Sequence, residues 1–155
     1  MGRAIYVSSV NGDDANSGYA PEKAFRSLRN VNQMEKQPGD QILLERGSVF
    51  IGEYLHLYAG GTKEAPVVVD AYGEGGLPRI ETDGNGIWYQ NYGGHLDNVV
   101  HTWKGYLSSA VLLYDAEYIS IRNLEITNNP YVKNERLNQA DRINRTGVSV
   151  ISKNH

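Results

Sequence analysis

The sequence predicts an all-β fold, the first rungs of a parallel β-solenoid with one short capping α-helix. Residues 111–127, VLLYDAEYISIRNLEIT, hold two strand-like runs broken by Asp115-Ala116-Glu117. A third run, Gly147-Val148-Ser149-Val150-Ile151-Ser152, follows about one coil later. Short β-runs, polar turns and Asn-rich exits in this cadence are the mark of a solenoid whose rungs stack on one another. The step from residues 119–126 to residues 148–151 exceeds the usual repeat of ~20–30 residues, as an inserted loop would make it.

In chain order, residues 4–8 form a short strand by β-propensity and run into residues 11–18, NGDDANSG, a dense turn signal. Adjacent aspartates also suit calcium, but the segment lacks the spacing and distal glutamate of an EF-hand loop. A side-chain-stabilised turn is therefore preferred, and no cofactor is expected. Residues 27–36, SLRNVNQMEK, predict one helix with Ser27 as N-cap and Leu28, Val31, Met34 and Glu35 at helical spacing. Pro38-Gly39 ends it. A single amphipathic helix at the start of a β-chain must cover something apolar, and the open end of a solenoid is such a surface.

Residues 41–45, QILLE, predict a strand, Arg46-Gly47 a turn, and residues 54–58, YLHLY, a strand with period-2 alternation. Residues 66–72, PVVVDAY, supply the next strand, and the glycines at 73–76 turn the chain before residues 78–81. No run after Lys36 looks helical. Residues 82–109 weaken into an aromatic, Gly-rich, His-containing excursion read as a loop, and a loop this long is functional or packs on itself. Regular rungs begin at Ala110, and residues 131–146 form a polar insertion before the last strand. The chain is thus one segment, 1–155: strand plus cap helix (1–40), early strands (41–81), aromatic excursion (82–109) and first regular coils (110–155).

Composition narrows the function. The 155 residues suit one domain, and their 15 basic and 18 acidic side chains, net −3, are spread without a basic stripe, so neither nucleic acid nor a membrane surface is an expected partner. Cysteine is absent, which removes a disulfide framework and leaves the compartment open. Met1-Gly2-Arg3 leads directly into a strand with no signal-like apolar run, so a secreted form would have lost its signal before this point. Aromatic usage is skewed, with 11 Tyr and 2 Trp against 2 Phe, and rings with a polar edge suit sugars as well as half-buried strands.

Three segments, in order, carry a resemblance: residues 6–14 (YVSSVNGDD), 38–47 (PGDQILLERG) and 71–75 (AYGEG). With a cap helix between the first two, they resemble the N-terminal opening of right-handed parallel β-helix carbohydrate-active enzymes of pectate-lyase-like fold. Such openings are shared by pectate lyases, other polysaccharide lyases, several glycoside hydrolases and phage tailspikes, so they speak for architecture more than for chemistry. More narrowly, GIWYQ at 86–90 followed by YLSSAVLLY at 106–114 is similar to the β-helix lacto-N-biosidases of glycoside hydrolase family 136. That family releases lacto-N-biose from milk-type glycans, and the resemblance implies catalytic carboxylates beyond these first coils. It also implies an extracellular or cell-surface bacterial setting.

The residues themselves nominate contacts rather than catalysts. Trp88, Tyr89, Trp103 and Tyr106 offer flat faces for pyranose stacking, Gln90 a neighbouring amide, and His101 a donor toward a sugar hydroxyl, with plain packing as the alternative for each. A glycosidase needs two carboxylates ~5–5.5 Å apart for retention or ~6.5–9.5 Å for inversion. Asp115 and Glu117 share a face only if extended, and a solvated turn is preferred. Asp83, Asp97, His95 and His101 lie in the excursion, but His95 and His101 match no metal-ligand spacing. A lyase base could come from Lys104 or Arg122, each more simply a solvated charge.

The expected function is that of the N-terminal portion of a secreted glycoside hydrolase, inactive alone, with catalytic residues unknown and an oligosaccharide or polysaccharide as ligand. The alternatives are a polysaccharide lyase and a non-catalytic glycan-binding or structural solenoid. The last rung, Val148–Ile151, should expose unpaired backbone and apolar core. A second chain or the remaining C-terminal coils is expected to cover it.

Overall fold

The computed structural model describes residues 2–91, 104–129 and 143–152. Among the described residues, eleven strands and very little helix give an all-β architecture: β1 (Ala4–Val7), α1 (Leu28–Gln33), β2 (Gln41–Glu45), β3 (Val49–Ile51), β4 (Leu55–Leu57), β5 (Val67–Tyr72), β6 (Arg79–Glu81), β7 (Ile87–Asn91), β8 (Lys104–Tyr114), β9 (Ile119–Ile121), β10 (Glu125–Thr127) and β11 (Asn144–Ile151), with a 3-10 turn at Pro21–Lys23. They form three sheets, ordered β1-β2-β5-β9, β3-β6-β10 and β4-β8-β11. Every neighbouring pair within these orders is parallel. From β2 onward the chain visits the first, second and third sheet in turn, three times over.

Register fixes which side chains share the interior. Ile42 stands beside Ile5 and Val69, Phe50 beside Ile80, and Leu55 and Leu57 beside Val111 and Leu113. Except for the partly buried Leu113, these residues are fully buried, and with Leu28 and Val31 of α1 they belong to one core cluster. The predicted cap helix therefore does cover apolar surface. Parallel pairing starts with β1 and β2, well before the regular rungs expected at Ala110, and the strand at β3 had no counterpart in the sequence reading.

Helix α1 is shorter than predicted, and its ends are held differently. Ser27 stands at the N-cap position, but its hydroxyl donates to Asp14 Oδ2 at 2.8 Å instead of capping. The Leu28 amide instead donates to Glu53 Oε1 at 3.0 Å. At the other end the backbone turns extended at Met34, and the buried Lys36 ammonium donates to the carbonyls of Val31 and Met34, the latter at 2.5 Å. A lysine reaching back to the last carbonyls satisfies groups that the helix itself leaves open.

The segment read as a loop at 82–109 is, in its described parts, a β-ribbon. β7 pairs antiparallel with the first half of β8, from Ile87↔Ser108 to Asn91↔Lys104. The last strand is also longer than expected, because Asn144, Arg145 and Thr146 already pair with β8. Val148 and Val150 stand beside the inward residues Val111 and Leu113 yet are 51% and 68% exposed, so this end of the core lies open to water.

Candidate functional site

The aromatic surface gathers on β4, the ribbon and the end of β8. In β4 the alternation of YLHLY turns Leu55 and Leu57 into the core, while Tyr54, His56 and Tyr58 interleave with them. Ring contacts join Tyr54 to His56 at 4.5 Å, Tyr58 to Tyr114 at 5.9 Å and Trp88 to Tyr114 at 6.2 Å between centroids. Across the ribbon, the directly opposed Tyr89 and Tyr106 meet edge to face at 5.0 Å. Tyr58, Tyr89 and Tyr106 are each at least half exposed. Tyrosine faces held at fixed angles with water beyond them suit the C–H faces of sugar rings.

His56 departs from a simple in-and-out strand, since it is buried although its neighbours Leu55 and Leu57 fill the core. Its Nε2 lies 2.8 Å from the Ser109 carbonyl, which can only accept, so Nε2 carries the proton. Burial pushes the imidazole below its ordinary range, against the opposing effect of that hydrogen bond. His56 is therefore a neutral donor that ties β4 to the entry of the ribbon. Gly86 makes the tie sterically feasible, because a Cβ there would sit 2.5 Å from the Ser109 carbonyl oxygen and 3.1 Å from His56 Nε2.

Trp88 does not present a platform. The ring is only 7% exposed, and its Nε1 donates to Ser109 Oγ at 2.8 Å, within a hydroxyl cluster that includes Thr146 and Ser149. It anchors the ribbon to β8 and β11, a packing role that follows from needing a partner for both a large apolar ring and an N–H. Tyr89 and Tyr106 are accessible, and Gln90 is half-buried opposite Gly105. His101, Trp103, His95 and Asp97 lie outside the described residues.

The described carboxylates considered from sequence lie in turns or ion pairs. Asp115 sits in a turn with φ 47° and its amide donates to Ile151 O at 2.8 Å, while Glu117 gives its carbonyl to the Gly61 amide at 2.9 Å. Asp83 pairs with Arg145 at 3.5 Å, and Arg122 is engaged with Asp70 at 2.7 Å. Around the aspartate-rich turn, Asp13 accepts from the Ala15 amide, and Asp14 from the amides of Arg26 and Ser27, as a side-chain-stabilised turn would require. Among the described residues no group of three or more His, Cys, Asp or Glu could hold a metal ion.

Two shallow clefts border this surface, on either side of Asn32. One, of about 210 Å³, lies among Leu28, Arg29, Gly52, Glu53 and Tyr54. Glu53 in its wall is raised above the ordinary carboxyl range by burial. The other, of about 250 Å³, lies between the end of α1 and the exit of β4. Sequence reading missed Tyr54, Tyr58 and Tyr114 as surface aromatics. The Tyr-x-x-x-Tyr spacing that flanks β4 was the available signal, since period 2 puts both rings on one face.

No family model matches the chain. A curated lacto-N-biosidase of Bifidobacterium longum subsp. longum is 37% identical over 99% of this chain, which corresponds to 11% of that protein. A crystal structure of a GH136 lacto-N-biosidase from Eubacterium ramulus superposes on 100% of this chain with TM-score 0.89 and 52% identity, covering 25% of that chain. The native form of the same enzyme gives TM-score 0.85 and 53% identity over 94% of this chain and 23% of its own. A rhamnogalacturonan lyase, 13% identical with TM-score 0.52, shares the fold alone. The chain thus spans a tenth to a quarter of the length of the lacto-N-biosidases it matches, and over that span it is similar to GH136 lacto-N-biosidases.

Proposed function

We propose that the chain forms the opening coils of a right-handed parallel β-helix in a glycoside hydrolase of lacto-N-biosidase type, acting on milk-type or host-type oligosaccharides outside the cell or at its surface. The observation that carries this reading is the 52% identity to a GH136 lacto-N-biosidase maintained across the full 155 residues at TM-score 0.89. The repeated circuit through three parallel sheets supports the helical coil, and the exposed tyrosines of the ribbon and β4 support a glycan-facing role. The catalytic carboxylates belong to residues outside this chain. The open core at Val148 and Val150 is covered by further coils, either of the same polypeptide or of a second chain.

Release of chromophore from a chromogenic lacto-N-bioside tests the assignment. The 155-residue chain alone should release none, and the chain joined to, or mixed with, the remaining coils should release it. Release by the chain alone would overturn the placement of the catalytic carboxylates outside it, and unsaturated-uronate absorbance from a uronate polymer treated with the assembled protein would overturn the hydrolase reading. In the assembled enzyme, Tyr89→Ala and Tyr106→Ala should raise KM with little change in kcat.

A further inference from the structure

The cleft at the exit of β4 contains two polar side chains that its small size does not explain. Lys36 and His56, only 6% and 5% exposed, line its wall together with Asn32, Met34, Glu35, Tyr58 and Ala59. Asn32 is spent on the backbone of β4, and His56 Nε2 on the Ser109 carbonyl. Lys36 is different. An ammonium has three N–H groups, and two are used on the carbonyls of Val31 and Met34, leaving one. The Glu35 carboxylate and the Tyr58 hydroxyl have no hydrogen-bond partner among the described residues.

We propose that this cleft binds one neutral pyranose ring, stacked on the 59% exposed face of Tyr58, with a ring hydroxyl accepting the third N–H of Lys36 and another donating to Glu35. The proposal rests on the glycan-handling reading above and extends it to a site away from the ribbon tyrosines. The volume of about 250 Å³ lies below the range of drug-sized ligand pockets, which fits one ring and not two. The wall carries one positive and one negative side chain beside a neutral imidazole, so it offers no net charge for an ionic ligand. Asn32 makes the floor rigid, because its carboxamide is pinned to β4 at both ends.

Lys36 gives the site a dependence that a structural role would not produce. Burial pushes its amine down to about 8, with Asp40 opposing and Arg3 adding to the shift. Losing a proton leaves two N–H groups, both committed to carbonyls, so the donor toward the ligand disappears. The other groups facing the cleft are His56, held below its ordinary range, Tyr58, held above its own, and the Glu35 carboxylate. Binding should therefore weaken about tenfold between pH 7 and pH 9, following the ammonium fraction.

The test is a titration of the 155-residue chain with methyl β-D-glucopyranoside and methyl β-D-galactopyranoside, followed through the Met34 and Ala59 methyl signals in carbon–proton NMR spectra. The expected result is saturable movement of both signals, about tenfold weaker at pH 9 than at pH 7. Tyr58→Ala should weaken binding roughly fivefold, and Tyr89→Ala should leave it unchanged. Lys36→Met, if it folds, should bind weakly with no pH dependence; if it does not fold, the wild-type pH ratio and the Tyr58 variant decide. Unmoved Met34 and Ala59 signals, or equal affinity at both pH values, overturn the proposal. Movement confined to the Ile87 methyl on the ribbon would also overturn it while leaving glycan binding intact, whereas no movement anywhere would count against both.

Discussion

Replacing Asn32 tests how the edge of the third sheet is closed. β4 is an end strand, and on its open side the Asn32 carboxamide behaves as a stand-in for a neighbouring peptide. Its Nδ2 donates to Tyr54 O at 2.9 Å, and its Oδ1 accepts from His56 N at 2.9 Å. Asn32→Ala removes both bonds, each worth about 0.5–1.5 kcal/mol net, for a loss of about 1–3 kcal/mol. Water entering from the clefts on either side should re-bond part of this, which places the expected value near ~1.5 kcal/mol. Asn32→Asp is the sharper variant. It can still accept from His56 N, but it sets a carboxylate oxygen against the Tyr54 carbonyl, so at neutral pH it should be at least as destabilised as alanine and should recover below about pH 4. Urea unfolding of the two variants, with the slope unchanged, measures both values. An aspartate variant as stable as wild type at pH 7, or an alanine variant within ~0.5 kcal/mol of it, would refute the peptide-surrogate reasoning. The alanine variant should also self-associate as concentration rises, because a bare edge recruits strands.

Phe50→Ala empties a fully buried site beside Ile80 and should cost about 3–5 kcal/mol in urea or thermal unfolding; a loss under ~1 kcal/mol would mean the core collapses onto the void. Gly86→Ala combines φ 64° with a Cβ 2.5 Å from the Ser109 carbonyl, so the His56–Ser109 bond should break and, because that bond opposes the lowering by burial, the His56 pKa read by NMR titration should fall further below its ordinary value while the ring stays buried. Asp14 and Asp40 are partly desolvated, which alone would raise them, but hydrogen bonds from Ser27 and Arg26 and from Arg3 and Gln37 outweigh burial and lower both. Their stabilisation is full above the unfolded carboxylate value near ~3.9 and disappears as pH falls through the lower folded values, so Asp40→Asn should flatten the acid limb of the stability curve.

The strands could be read because burial in them follows period 2, as in QILLE, where Ile42 and Leu44 are buried. The three-residue β3 escaped notice because VFI holds too few positions to show alternation, and only its pairing with β6 makes it a strand. The ribbon at β7 was read as a loop for a related reason: the glycines and mixed polarity around it hide its pairing with the start of β8. Trp88 shows the limit for sites. Its type suggested a sugar face, but whether an indole stacks on ligand or on protein depends on what lies opposite, and here that is Ser109 and Tyr114. Ser27 was correctly placed at the helix start, yet its hydroxyl went to Asp14, a choice set by the turn that the aspartates build.

The parallel ladders also determine the order in which this polypeptide can acquire structure. Gln41 pairs with Val68, Val67 with Ile119 and Leu107 with Asn144, so every parallel ladder must wait for a long intervening stretch to be made and drawn back. Chains built from such distant contacts fold slowly, in milliseconds to seconds rather than microseconds. During synthesis the strand β1 leaves the ribosome long before β9, and each circuit can settle only on the one already laid down. Until the next circuit arrives, the newest strands are the chain's most vulnerable surface.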